Sequence, residues 1–339
     1  MKIKITYILI AVLTVLGGLN IFQSLKNKLL PPAEKMVPVI EQSDFNRSTT
    51  KTHLQGKIMT DERFKVAPGD LLKVQVSHAD LQITTGDSRQ AHIVITLEGD
   101  DMARAEELFQ KMSFQVTQDG KTVMVHAERL NGNLWSWNDW GGVQITVHAT
   151  IPAIFDTDIE TTHGDVELGS LDGFVKVGTS HGDVDAEALS GPQIIVHTTH
   201  GDVEVHSLKS DEVSVATSHG DIELGTVVAR EFTARTSHAD IEVAHIEGRA
   251  NITNSHGDID VYLPKTTSSY LKTSHGDIEV EIDAKQGLDV SLNGGRVKVD
   301  DQLKFSGNLE DDRADGQLNG GGPRLEARAS HGSITVREQ

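Results

Sequence analysis

The sequence predicts an all-β protein: a single-stranded β-solenoid (β-helix) of about 18–19-residue rungs, preceded by an N-terminal membrane helix and closed by a small helix-plus-hairpin cap. Three observations carry this. A tetrad of Ser/Thr, His, Gly/Ala and Asp recurs, centred on His78, His163, His181, His200, His219, His238, His256 and His275, with a variant Ser330-His331-Gly332-Ser333 near the end. From His163 to His275 the histidines repeat every 18 or 19 residues, and so short a fixed period means stacked supersecondary units. Apolar and polar residues alternate on both sides of each tetrad, the period of strands, and aromatics make up only 4% of the chain against 31 glycines, which suits a thin aliphatic core.

The elements follow in order. Lys2 and Lys4 precede an apolar run, Ile5 to Phe22, that would make roughly 27 Å of helix at about 1.5 Å per residue, enough to span a bilayer. No small-x-small cleavage site follows it, so residues 1–25 read as a transmembrane anchor or uncleaved signal with the repeats outside the cytoplasm. Residues 26–62, with Pro31, Pro32 and Pro38, read as a polar linker. Residues 63–150 read as a first rung, around His78, interrupted by a capping insertion. In that insertion Asp100 to Met112 has helical spacing, and Gln118-Asp119-Gly120-Lys121 sits between two short strands as a hairpin turn. Residues 151–339 are the solenoid repeats. His331 lies 56 residues beyond His275, three further periods, which predicts ten rungs from His163 to His331.

Within one unit, Val213, Val215, Ile222 and Leu224 point inward, while Ser214, Ala216, Asp221 and Glu223 point outward, with His219-Gly220 turning the chain between them. Stacking at about 4.8 Å then aligns equal positions into ladders of Thr, His and Asp. In the aspartate ladder, unit charges about 4.8 Å apart repel by about 0.9 kcal/mol even in water, so something must offset them. The candidates are hydrogen bonds from corner N–H groups, protonation of neighbouring histidines, or bound cations.

His and Asp are both metal ligands, so the pairs His163/Asp165, His181/Asp183, His200/Asp202, His219/Asp221, His238/Asp240, His256/Asp258 and His275/Asp277 are the candidate metal residues, against the plainer reading of structural corners. No cofactor is expected beyond such a divalent cation. Trp135, Trp137 and Trp140 form the candidate partner-binding group, either a stacking platform for a sugar or peptide or a plug for the solenoid end.

Net charge is −19, and Glu160 to Asp283 holds 23 Asp/Glu against 7 Lys/Arg, an array that repels nucleic acid. The chain has no cysteine, which excludes disulfides, thiol catalysis, cysteine-ligated metal and a cysteine-linked lipid anchor.

With these residues assembled, the chain resembles the bacterial putative-adhesin β-solenoid family. The resemblance rests on the repeated T-S-x-G-D-I-E-V corner, on V-Q-I-T-V-H-A-T-I-P at Val143 to Pro152, and on the closing G-G-G-P…S-H-G-S-I-T-V, and it covers residues 65–339. It implies a β-helical domain in the bacterial envelope and carries over no catalytic residue. The family usually has a small polar residue such as Asn before the corner glycine, so a histidine there in nearly every copy is a departure.

The function these readings favour is a non-enzymatic, membrane-anchored envelope scaffold or adhesin with an envelope protein or glycan as partner. A metal- or pH-responsive His/Asp ladder is the alternative. A polysaccharide-active β-helix is the remote one, because its site would need a local carboxylate group with Arg or Lys that breaks the repeat, and Arg230, Arg235 and Arg249 are the one basic cluster.

Overall fold

The computed structural model describes residues 55–86, 89–127 and 141–339, all within one compact unit, Thr52–Gln339. The expected membrane helix and the three tryptophans lie outside the described residues. Among the described residues, no helix is long and apolar enough to cross a membrane.

The body is a stack of parallel strands. Val184–His197, Val203–Ala216, Ile222–Arg235 and Ile241–Thr253 pair in sequence order, so that Val203 faces Ile222 and then Ile241, and Val213 faces Phe232 and then Ala250. The apolar parity read from the sequence is the buried one: Val203, Val205, Leu208, Val213 and Val215 are all at most 1% exposed. Large and small residues alternate along the stack, since Phe232 sits in register between Val213 and Ala250, which keeps the narrow core filled without strain.

The two ends depart from sequence order. Lys265–Thr273 and Ile278–Ile282 pair directly with Arg324–Ala329 and Ser333–Glu338. The His331 rung is therefore the immediate neighbour of the His275 rung, which corrects the expectation that His331 lay three periods further along. The intervening chain runs ahead to build an outer rung from Leu288–Asn293 and Arg296–Val299, which pairs with the far side of the His331 rung. It then turns through an antiparallel hairpin, Phe305–Leu309 with Arg313–Leu318, before returning to fill the gap. A 56-residue spacing that happens to fit three periods cannot reveal this, because an insertion and three rungs occupy the same length of sequence.

The N-terminal end repeats the arrangement. Leu71–Gln75 and Asp80–Gly86, the His78 rung, lie between the later rung Asp156–Glu160/Val166–Leu168 and an outer rung made of Thr122–Ala127 and Val143–Pro152. Antiparallel strands Gln90–Gly99 and Gln55–Lys65 extend the sheet from there. Residues 55–62, read from sequence as linker, are thus strand, because their backbone groups pair with Ile93 to Gly99. The helix α1, Met102–Lys111, packs Ala105, Leu108 and Phe109 inward and is capped by Asp101, whose side chain accepts from the N–H groups of Ala103 and Arg104. Phe109 stacks on Phe114 at 4.9 Å, joining helix to hairpin.

Candidate functional site: the corner columns

Each member of the tetrad has its own job at the corner. From the His200 corner onward the buried threonine before the tetrad donates its hydroxyl to a corner carbonyl of the previous rung: Thr198 to Gly182 at 3.2 Å, Thr217 to Gly201 at 3.1 Å, Thr236 to Gly220 at 3.3 Å and Thr273 to Gly257 at 3.0 Å. Asn254 does the same with its amide, to Ala239 at 2.6 Å, while its Oδ1 accepts from the N–H groups of Ser255 and His256. Gly182, Gly201 and Gly220 are buried, and their carbonyls would be costly to leave unpaired.

Glycine follows from the same closeness. A Cβ at Gly182, Gly201 or Gly220 would collide with the carbonyl oxygen of the corner one rung below. Ala239 is accommodated where the stack is widest, with flanking histidine separations of 4.9 and 5.1 Å.

The aspartate is a clamp between rungs. Asp183, Asp202, Asp221, Asp240, Asp258 and Asp277 each donate a backbone N–H to the Oδ1 of the preceding rung's aspartate, at 2.7–3.0 Å. A hydrogen bond to a charged group contributes about 1.5–3 kcal/mol. The repulsion between neighbouring carboxylates is about 0.9 kcal/mol, so the clamp outweighs it. The offset predicted from sequence exists, and its source is the next rung's N–H rather than the residue's own corner. Ser333 still donates its N–H to Asp277, at 2.7 Å, but the outer rung beyond is joined through Gly295 N–H and the Gly332 carbonyl, so no carboxylate is needed there.

The histidines form one column. From His78 through His163, His181, His200, His219, His238, His256 and His275 to His331, successive rings stack with centroids 4.6–5.1 Å apart and planes within 16°. From His181 onward the residues are exposed. Burial holds the His163 imidazole below its ordinary pKa, and the neighbouring His181 pushes the same way, against the backbone hydrogen bond to Ser77.

Face-to-face rings at this spacing do not chelate as they stand, since two metal–nitrogen bonds reach only about 4.2 Å. Among the described residues, no group of three or more His, Asp or Glu side chains is arranged to hold a metal ion. The structure thus brings every candidate His/Asp pair together as two parallel columns, not as a convergent set.

A second acidic column runs beside the first. Glu167, Asp185, Glu204, Glu223, Glu242, Asp260 and Glu279 are in register on the next outward position, ending at Gln82 on one side and Thr335 on the other. Burial, then Glu204, Asp183, Glu167 and Asp165, push the Asp185 carboxyl up to about 6. Glu223 and Asp260 are raised by the same combination, burial first.

A third strip is basic, and it extends Arg235 and Arg249 of the basic cluster read from the sequence with Lys272, Arg324 and Arg328. On the outward side of the face before the corner, Arg235, Thr253, Lys272 and Arg328 share one column, with Arg249, Ser268 and Arg324 four residues earlier and Thr233, Asn251, Tyr270 and Glu326 between.

Solved structures of similar shape include a putative adhesin from Parabacteroides merdae ATCC 43184, at 11% identity and TM-score 0.48, covering 82% of this chain and 95% of that one. Another is a putative lipid binding protein from Parabacteroides distasonis ATCC 8503, at 13% identity and TM-score 0.46, covering 82% and 96%. No curated protein matches. The model of the toastrack DUF4097 family matches residues 70–337, bearing out the resemblance carried by the corner motif, and the chain belongs to that family.

Proposed function

We propose that the protein is a non-enzymatic interaction scaffold of the bacterial envelope, tethered by residues 1–25 and presenting its solenoid outside the cytoplasm to an envelope partner. One observation carries the reading: the polar groups of the described repeats stand in columns in register from rung to rung, with the corner aspartates hydrogen-bonded to the next rung, instead of converging on a point. Glycoside hydrolysis needs two carboxylates facing one bond from opposite sides. Here the carboxylates of Asp202, Asp221 and Asp240 follow one another up a single face and accept backbone N–H groups. A locked rod of this kind suits display and binding. The apolar run before the fold and the absence of cysteine support export.

The test is fractionation and binding together. The full chain should remain with membranes, and deletion of 1–25 should release it. The released protein should be retained on isolated envelopes. Retention of the deletion variant in the membrane pellet after washing with salt and carbonate would sink the tether, and failure to bind envelopes would sink the scaffold.

A further inference from the structure

The basic strip has a chemistry of its own. Five cations, Arg235, Arg249, Lys272, Arg324 and Arg328, share one sheet face with Glu231 and Glu326, and with Glu212 and Asp289 in register at its two ends, on a chain whose net charge is −19. The three arginines nearest Tyr270 are 58–64% exposed. Among the described residues, Arg235 and Lys272 have no ion-pair partner.

The strip also shows what it takes. Glu326 lies between Arg324 and Arg328 on one strand and binds both, at 3.2 and 2.6 Å. One rung down, the equivalent central position is Tyr270, which is neutral, flanked by Ser268 and Lys272 and followed by Asn251 and then Thr233. Lys272 is the one cation beside Tyr270 on that strand, and a carboxylate to pair with it must come from outside.

The neighbours of the cations are groups that recognise sugars: an aromatic body, an amide and hydroxyls. The width of the strip narrows the choice of polymer. Around the corner stand the exposed Asp240, Asp258 and Asp277, which a bilayer or a nucleic-acid duplex would meet and a single polymer chain would not.

We infer that this face binds a carboxylated polysaccharide, a polyuronate chain lying along the solenoid axis, with Arg249, Lys272, Arg324 and Arg328 pairing its carboxylates and Tyr270 against a sugar ring. The inference rests on the scaffold reading and names its partner class.

The experiment is calorimetric titration of the full-length chain, in detergent, with a defined oligogalacturonate. Saturable binding is expected, weakening as salt is raised. The pair Lys272→Glu and Arg328→Glu should lower affinity by at least about tenfold, and Tyr270→Ala severalfold. Lys272→Gln with Arg328→Gln, checked for wild-type melting, gives the same answer without charge reversal.

A neutral glucan should not bind, and no new reducing ends should appear. Several results would overturn the inference: no binding by folded wild-type protein, unchanged affinity in both double variants, release of reducing ends, or equal binding of polyphosphate, duplex DNA or anionic phosphatidylglycerol vesicles. If envelopes retain the protein while the oligogalacturonate does not bind, this inference fails and the scaffold reading stands.

Discussion

The Oδ1 of Asp221 accepts a hydrogen bond from the backbone N–H of Asp240, one rung away, at 2.9 Å. The side chain of one repeat thus completes the backbone of the next, and the bond needs an acceptor oxygen more than it needs a charge. Asp221→Asn keeps that oxygen and removes a like charge from the column, so urea unfolding should show little change. Asp221→Ala orphans the N–H and should lose about 1–3 kcal/mol. Equal losses in both variants would mean the clamp is not the stabilising contact.

The glycine of the corner is there for closeness to the rung below. Gly220→Ala puts a methyl group onto the Gly201 carbonyl and should destabilise by about 1–3 kcal/mol through overpacking. The same substitution at Gly69 meets no atom within 4 Å, though its φ of +81° still disfavours a side chain, so its smaller cost isolates the backbone contribution. Thermal melting of the two variants checks the order.

Asp185 gives a pH prediction with a definite sign. Its folded pKa is raised to about 6, so the fold favours the protonated form; that stability is full below the unfolded value and is lost as pH rises through about 6. Asp185→Asn should therefore raise the melting temperature at pH 8, by on the order of 2 °C, and change it far less near pH 4. A gain that is equal at both pH values would contradict the burial and crowding argument.

His163 should behave in the opposite sense. Its folded pKa is lowered, so its contribution is present above the ordinary histidine value and is lost as pH falls. Histidine NMR should place its protonation midpoint below 6.5, the ordinary value from which it is shifted. A midpoint above that would contradict the burial argument.

Elemental analysis of protein dialysed with trace zinc, nickel, copper and calcium tests the stacked geometry directly. Substoichiometric metal is expected from face-to-face rings, and stoichiometric metal lost on changing His200, His219 and His238 to Asn would show that the rings turn to chelate.

Much of this was legible because a solenoid writes its geometry as a period. The tetrad histidines from His163 to His275 took their expected order, and the helix and hairpin near Asp101 and Gly120 were marked by a cap and a turn. The C-terminal rung order was not, because pairing between Ser268 and Arg324 depends on which strand returns to the gap, and local pattern carries no information about that. The basic strip was legible only at Arg235 and Arg249, for the same reason: Lys272 and Arg328 become neighbours only through the returning strand. The role of Trp135, Trp137 and Trp140 concerns residues outside those described.

The returning strands at both ends also bear on how such a chain can change in length. A duplicated unit placed between His163 and His275 would simply add a layer, since there the chain and the stack advance together. At either tip they do not. Removing the last residues, Arg324 to Glu338, would take out a layer from inside the rod and leave the outermost one, Leu288 to Val299, facing a gap. Lineages of this architecture can therefore gain or lose repeats in the middle while their two termini stay fixed as closing pieces.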